Sequence, residues 1–367
     1  MKKLVVCCDG TWNAPDDNDQ IQDEIAKDAE TNVIKAYRSI LGEDTSGIRN
    51  ATPAKESSVP TLKWYDKGVG TRWYEHIRGG VFGFGLSRNI QEGYKFLIDH
   101  FEPGDEIYLL GFSRGAYTVR SLAGLIRNAG LLKAEYAPDD DPGKNPILMD
   151  AYQLYRARDG SADTPFAQNF RQQHSRGDVK IKFLGVWDTV GEQGIPLRIA
   201  QRFNADHYAF HDVELSSIVE NAYHALALDE HREEYKPALW KPKVKFNQTM
   251  QQVWFVGAHA DVGGGYPEQP LSDVTLHWML EKVQLTGAGL EIDPDHVPKV
   301  EPSRITAAKV TDSFSNFLRG LYRLLRQPYY RPVLTTLYGE ERLHVSYSLK
   351  RREDSGYKPK NAGLPQV

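Results

Sequence analysis

Ile107-Tyr108-Leu109-Leu110-Gly111-Phe112-Ser113-Arg114-Gly115-Ala116 reads as an apolar strand, a tight turn carrying a serine, and the first turn of a helix. The turn contains Gly-x-Ser-x-Gly. A serine on a sharp strand-to-helix turn projects its hydroxyl beyond the sheet edge, and the flanking glycines avoid β-carbons that would collide with the neighbouring strand and helix. The pentapeptide is common by itself; the strand before it and the helix after it give it meaning. Ser113 is therefore a candidate nucleophile. The backbone N–H of Arg114, at a helix start, is a candidate oxyanion donor.

Working outward, Leu4 to Cys8 is a short continuous apolar run, as expected of a strand buried on both faces of a parallel sheet. It ends in Asp9-Gly10-Thr11-Trp12-Asn13. Ligands of doubly wound sheets bind beyond the carboxyl ends of strands, so this loop is expected at a site, with Gly10 or Thr11 offering the second oxyanion donor. Thr61 to Asp66 alternates as a strand, and Thr31 or Asn32 caps a helix before it. Gly79 to Gly85 is glycine-rich and precedes a helix from Ser87 to Phe101. No Lys-Ser or Lys-Thr closes this run as in a P-loop, so it reads as a loop or lid flank and not as a phosphate cradle.

After the serine turn, Ala116 to Asn128 is helical and stops at Gly130. Val179 to Trp187 is a strong strand running into Asp188. Glu214 to Leu228 has a helical period and leads into Asp229-Glu230-His231-Arg232-Glu233-Glu234, which reads as solvated surface. Val253 to Gly257 is the last clear strand and runs into Ala258-His259-Ala260-Asp261; Ser272 then caps a helix to Val283. In the tail from about 286, Ser313 to Gln327 carries Phe314, Phe317, Leu318, Leu321, Tyr322 and Leu325 at helical spacing, a stripe expected to face the core.

A serine hydroxyl needs a histidine to take its proton and an acid to orient that histidine. Ser113, Asp188 and His259 each follow a strand, in the chain order serine, acid, histidine that the α/β-hydrolase layout requires. Two other readings stay open. Asp261 with His344 keeps the same order. Alternatively, Asp9, Asp188 and Asp261 could converge on a divalent cation, which would suit a metal-dependent phosphoester hydrolase but would leave the serine turn unexplained. A non-catalytic binding protein on a hydrolase fold is a third class.

The chain has 367 residues, a net charge of −4 and a pI near 6.3, which gives no electrostatic footprint for nucleic acid. Cys7 and Cys8 are the only cysteines, and neighbours on a strand point to opposite faces, so no disulfide is expected. The apolar run at the start is too short for a signal-peptide core, and no run approaches the ~20 apolar residues that span a bilayer. The expectation is a soluble protein, cytoplasmic as encoded, acting without a cofactor or metal on a small ester or lipid, with membrane contact left open. The expected fold is α/β: a mostly parallel central sheet with helices on both faces and helical insertions, as one domain over 1–367 whose residues 286–367 form a C-terminal extension packed on it.

Five ordered motifs add a resemblance. Val5-Val6-Cys7-Cys8-Asp9-Gly10-Thr11-Trp12-Asn13, Gly111 to Tyr117, Val186-Trp187-Asp188-Thr189-Val190-Gly191, Ala225 to Glu230 and Gly257 to Tyr266 together resemble the type VI secretion phospholipase effector-like catalytic domain family of α/β hydrolases, formerly a domain of unknown function. The resemblance implies an ester hydrolase with a Ser-Asp-His triad, acting in characterised secreted members on glycerophospholipid acyl esters. By motif position it puts the nucleophile on Ser113, the acid on Asp188 and the base on His259.

Overall fold

The computed structural model describes residues 1–10, 29–46, 56–68, 81–137, 141–157, 162–190, 214–241, 247–286, 289–317, 322–335, 341–354 and 356–365. Among them, eight strands form one sheet: β1 (Lys3–Cys8), β2 (Glu43–Asp44), β3 (Thr61–Asp66), β4 (Glu106–Phe112), β5 (Ile181–Trp187), β6 (Val219–Ala227), β7 (Thr249–Phe255) and β8 (Glu341–Leu343). Their order is β2-β3-β1-β4-β5-β6-β7-β8, and each pairing is parallel.

The described helices of the first three quarters of the chain are α1 (Asn32–Ser39), α2 (Val81–His100), α3 (Arg114–Ala129), α4 (Pro146–Arg156), α5 (Pro165–His174), α6 (His259–Gly263) and α7 (Pro270–Leu285). They cover both faces of the sheet. Successive strand residues point to opposite faces, so Leu4, Val6 and Cys8 of β1 pack into one cluster with Leu97, Leu122 and Leu148 of α2, α3 and α4. Val5 and Cys7 pack into the other with Tyr37 of α1 and Leu276 and Met279 of α7. A strand buried on both faces has no polar side to alternate with, which is why β1 reads as one unbroken apolar run. Both cysteines are buried free thiols.

The stretch after 286 supplies α8 (Pro302–Ala307), α9 (Ser313–Asn316), α10 (Tyr322–Leu325) and α11 (Val345–Glu353), together with strand β8. Ile305, Ala308, Val333, Tyr347 and Tyr357 join the same cluster as α1 and α7. Among the described residues no helix is long and apolar enough to cross a membrane.

The strand order places the site. From β1 the chain moves outward to β3 and then returns to β4 on the other side of β1. The carboxyl ends of β1 and β4, in register at Cys8 and Gly111, therefore flank a topological switch point, where open α/β sheets bind ligands.

Four local expectations change. Residues 219–227 form strand β6 and not a helix; flanked by β5 and β7, it is buried on both faces, so its apolar spacing does not report a helical stripe. Residues 81–85 of the glycine-rich run belong to α2 itself; Gly79 and Gly80 lie outside the described residues. The described residues of the Ser313–Gln327 stripe form two short helices, α9 and α10, with Phe314 and Tyr322 buried but Leu324 and Leu325 about three-quarters exposed, while Leu318 and Leu321 lie outside the described residues. Helix α7 begins at Pro270, with Gln269 as its cap; Ser272 lies inside it.

Candidate active site

Ser113 caps α3 at the end of β4 with φ +56°, a left-handed conformation that a non-glycine residue adopts only where its surroundings enforce it. Its N–H donates to the Trp187 carbonyl at the end of β5 (3.0 Å). The glycine two residues on is required by contact: a β-carbon on Gly115 would lie 1.9 Å from the carbonyl oxygen of Cys8. The serine turn is thus clamped directly onto β1.

Asp188 follows β5, also at positive φ (+37°), and its N–H donates to the Ala225 carbonyl of β6 (2.7 Å). His259 opens α6 after β7. One strand, β6, therefore stands between those carrying Asp188 and His259, where the sequence suggested successive strands. The three side chains meet: His259 Nδ1 lies 2.6 Å from Asp188 Oδ2, and His259 Nε2 lies 2.9 Å from Ser113 Oγ. A carboxylate only accepts, so Nδ1 carries the proton and Nε2 is left as the acceptor for the serine hydroxyl. The imidazole packs against Phe112 (ring centroids 4.7 Å apart) and the edge of Tyr235 (5.0 Å). Gly263 lets the chain after His259 lie flat on Phe112, since a β-carbon there would stand 2.0 Å from that ring.

The electrostatics are set by burial and by one arginine. Asp188 is fully buried. Burial by itself would raise its pKa, but the Arg331 guanidinium and His259 outweigh burial and hold it well below the usual carboxylate range. Arg331, also fully buried, donates from Nη1 to Oδ1 (2.7 Å) and from Nη2 to Oδ2 (3.0 Å). Burial lowers the His259 pKa, and the opposing pull of Asp188 does not fully restore it.

A second buried ion pair stands beside the imidazole. Glu230 accepts from Arg232 Nε and Nη2 (both 2.8 Å), from the His259 N–H (3.3 Å) and from Ser313 Oγ (3.0 Å). Burial opposes its ionisation, yet Arg232 brings its pKa down to about 2. Arg232 in turn lies 3.6 Å over the Tyr235 ring. The run expected to be solvated surface is therefore interior at Asp229, Glu230 and Arg232, because each charge finds its counter-charge or donors inside the fold.

Asp9 is buried and braces its turn. It accepts from the Gly10 N–H (2.7 Å), from Tyr65 Oη (2.7 Å) and from Thr31 Oγ1. Burial raises its pKa to about 6 despite these donors. Gly10 sits on the serine: a β-carbon there would lie 3.1 Å from Ser113 Cβ. Its N–H, however, is turned to Asp9, and Thr11, the other donor that the sequence offers, lies outside the described residues. Arg114 is the first residue of α3, where N–H groups point out along the helix axis.

The alternative residues are occupied elsewhere. Asp261 accepts from the N–H groups of Ala258 (2.9 Å) and Thr311 (3.0 Å) and from Thr311 Oγ1 (2.8 Å). His344 caps α11, accepting from the Ser346 N–H (3.2 Å), and stacks on Phe255 (4.4 Å). Among the described residues no hydrogen bond joins Asp261 to His344. Nor does any group of three or more His, Cys, Asp or Glu side chains stand ready to hold a metal ion, so Asp9, Asp188 and Asp261 do not converge.

Arg331, Glu230 and Arg232 escaped the sequence reading. Glu230 carried a usable signal, a carboxylate closing the motif Ala225 to Glu230 just after a strand. Arg331, within Tyr329-Tyr330-Arg331-Pro332, carried none.

The chain is similar to several known proteins. Over 264 residues the chain is 28% identical to an uncharacterized protein of Saccharomyces cerevisiae, covering 66% of this chain and 33% of the relative. Over 107 residues it is 27% identical to Lipase 1 of Staphylococcus aureus, covering 27% of this chain and 15% of that protein. The chain thus spans a third or less of these curated relatives. Among solved structures, an uncharacterized protein from Pseudomonas aeruginosa aligns over 96% of this chain and 52% of its own (16% identity, TM-score 0.42). A Tle1 effector bound to the VgrG spike of the type VI secretion system aligns over 72% and 51% (16% identity, TM-score 0.35). The sequence model of the family described as "T6SS, Phospholipase effector Tle1-like, catalytic domain" matches residues 2–282. Because that match takes in most of the chain, from β1 into α7, the protein belongs to the type VI secretion phospholipase effector Tle1-like catalytic domain family.

Proposed function

We propose that the chain hydrolyses carboxylic esters, with lipid acyl esters as the substrate class, through a covalent acyl-enzyme on Ser113. The observation that carries the reading is the unbroken hydrogen-bond line from Ser113 Oγ to His259 Nε2 and from His259 Nδ1 to Asp188. Ser113 Oγ attacks the ester carbonyl carbon while its proton passes to His259 Nε2. Asp188 steadies the imidazolium. The Arg114 N–H and a donor of the Gly10-Thr11 turn hold the oxyanion. The alcohol leaves with the proton from His259, and water, deprotonated by the same imidazole, releases the acid. Lipid as the substrate class is supported by the family and by the likeness to a staphylococcal lipase.

The test is a panel of acyl esters and glycerophospholipids assayed with wild type and Ser113→Ala. The variant is expected to lose activity by at least about 10³-fold. Full activity in Ser113→Ala would overturn the reading, and activity that also disappears with a chelator would favour the metal-dependent class. Failure of a fluorophosphonate to label Ser113 would favour a non-catalytic binding protein.

A further inference from the structure

We infer that Arg331 is a positioning residue for the candidate active site: its guanidinium fork fixes the Asp188 carboxylate in the plane that meets His259 and sets the basicity of that imidazole. The inference rests on the Ser113 reading above and concerns a residue outside the stretch matched by the family, residues 2–282.

The geometry carries it. Asp188 Oδ1 receives Arg331 Nη1 (2.7 Å) and the Ala227 N–H (3.0 Å), while Oδ2 receives Arg331 Nη2 (3.0 Å) and His259 Nδ1 (2.6 Å). With two donors on each oxygen, the carboxylate cannot rotate away from the imidazole. A bidentate arginine imposes a plane that a point charge would not.

Arg331 is itself held. Nη1 also donates to the Ala227 carbonyl (2.7 Å), and Nη2 donates to the carbonyl of Tyr235. Its backbone is stitched in on both sides: Asn361 Nδ2 bridges the carbonyls of Arg331 (3.0 Å) and Leu228 (2.9 Å), and the Tyr329 N–H donates to the His231 carbonyl (2.8 Å). The segment 329–333 thus straps a cation from the last part of the chain under the acid of the site.

The chemical consequence follows from charge. A carboxylate already shared with a guanidinium attracts a proton on the neighbouring imidazole less than a lone carboxylate does. The other charged and titratable groups facing His259 are Glu230 and Arg232, which neutralise each other, the Tyr235 phenol ring, and Asp261 on its own helix. Removing Arg331 acts first on Asp188, which loses its bidentate partner, and also withdraws the weaker pull of Arg331 on Glu230, so both carboxylates beside the imidazole come to favour its proton more. His259 should then hold its proton to higher pH.

The experiment measures kcat/KM against pH on a soluble acyl ester with the full chain. Arg331→Gln is expected to lower kcat/KM at least tenfold and to move the acid limb upward by on the order of 1 pH unit. Arg331→Lys keeps the charge but loses the fork; it is expected to lose rate with the limb near its wild-type position. A purely structural arginine would lower the amplitude in both variants and leave both limbs in place, and that result overturns the inference. Ser113→Ala separates the two proposals: if it stays active, the nucleophile reading fails, whereas an inactive Ser113→Ala beside an unshifted Arg331→Gln limb sinks only the role of Arg331. Should neither Arg331 variant fold, Asn361→Ala, which removes the bridge holding the Arg331 backbone, decides in their place: a lower kcat/KM with the acid limb moved upward supports the inference, and a limb at its wild-type position overturns it.

Discussion

Asp188 concentrates more of the structure in one side chain than any other candidate residue. It is fully buried, holds the imidazole, and is the counter-ion of an equally buried arginine. Its substitution should therefore do two things at once. In Asp188→Asn the amide no longer fixes the imidazole tautomer, and kcat is expected to fall by about 10⁴-fold. The same change leaves Arg331 as an unpaired buried cation, with a loss of stability of about 3–5 kcal/mol. His259→Ala should match the first effect without the second. Ester turnover and urea unfolding of the two variants check this; loss of activity with full stability in Asp188→Asn would mean that Arg331 tolerates burial without its counter-ion.

Among the elements, the contact between β1 and α3 is the tightest junction at the site. Alanine at 115 would place a β-carbon 1.9 Å from the Cys8 carbonyl, so strand and helix would have to separate. Gly115→Ala is expected to destabilise the protein by about 1–3 kcal/mol, read from its urea midpoint, and to displace Ser113 from His259. Strands β1, β3, β4, β5 and β7 were legible in the sequence because each is a compact apolar or alternating run closed by a turn signal. Strand β6 was not, because it carries polar residues whose partners lie elsewhere: Asn221 donates to the Lys182 carbonyl (3.0 Å), and His224 Nε2 accepts from the Thr189 N–H (3.1 Å). The same distinction separates the site residues. Ser113, Asp188 and His259 advertise themselves by following strands in the right order. Arg331 acts only through contacts made after folding, across 143 residues, and nothing in its local sequence marks it; Glu230 closes the motif Ala225 to Glu230, but its contacts with His259 and Ser313 form only in the fold.

For the whole molecule, buried carboxyls of two kinds shape stability against pH. Asp9, Asp66 and Asp229 are each raised by burial to about 6. Their folded pKa lies above the unfolded value of about 3.9, so the stability they lend in the protonated form is complete below that value and lost as pH rises through about 6. Glu230, brought down to about 2, and Asp188, lower still, work in the opposite sense. Their contribution is present above the unfolded carboxyl values and lost as pH falls toward 2. The thermal midpoint is thus expected to rise as pH falls from about 7 to about 5 and to drop below about 4. A scanning-fluorimetry series checks the shape; a midpoint still climbing from pH 5 to 7 would contradict it.

The strap that carries Arg331 also bears on the order of assembly. Synthesis is vectorial, and residues 3 to 188, with the strands that carry Ser113 and Asp188, leave the ribosome well before residue 331. Until that arginine arrives, Asp188 is a carboxylate whose counter-ion has not yet been made, and the burial that brings it to His259 is opposed by its charge. The contact of Asp188 with His259 is thereby expected to form only once strands β1 to β7 have been made. The late arginine thus ties the closing of the Ser113–His259–Asp188 line to the near-completion of the chain.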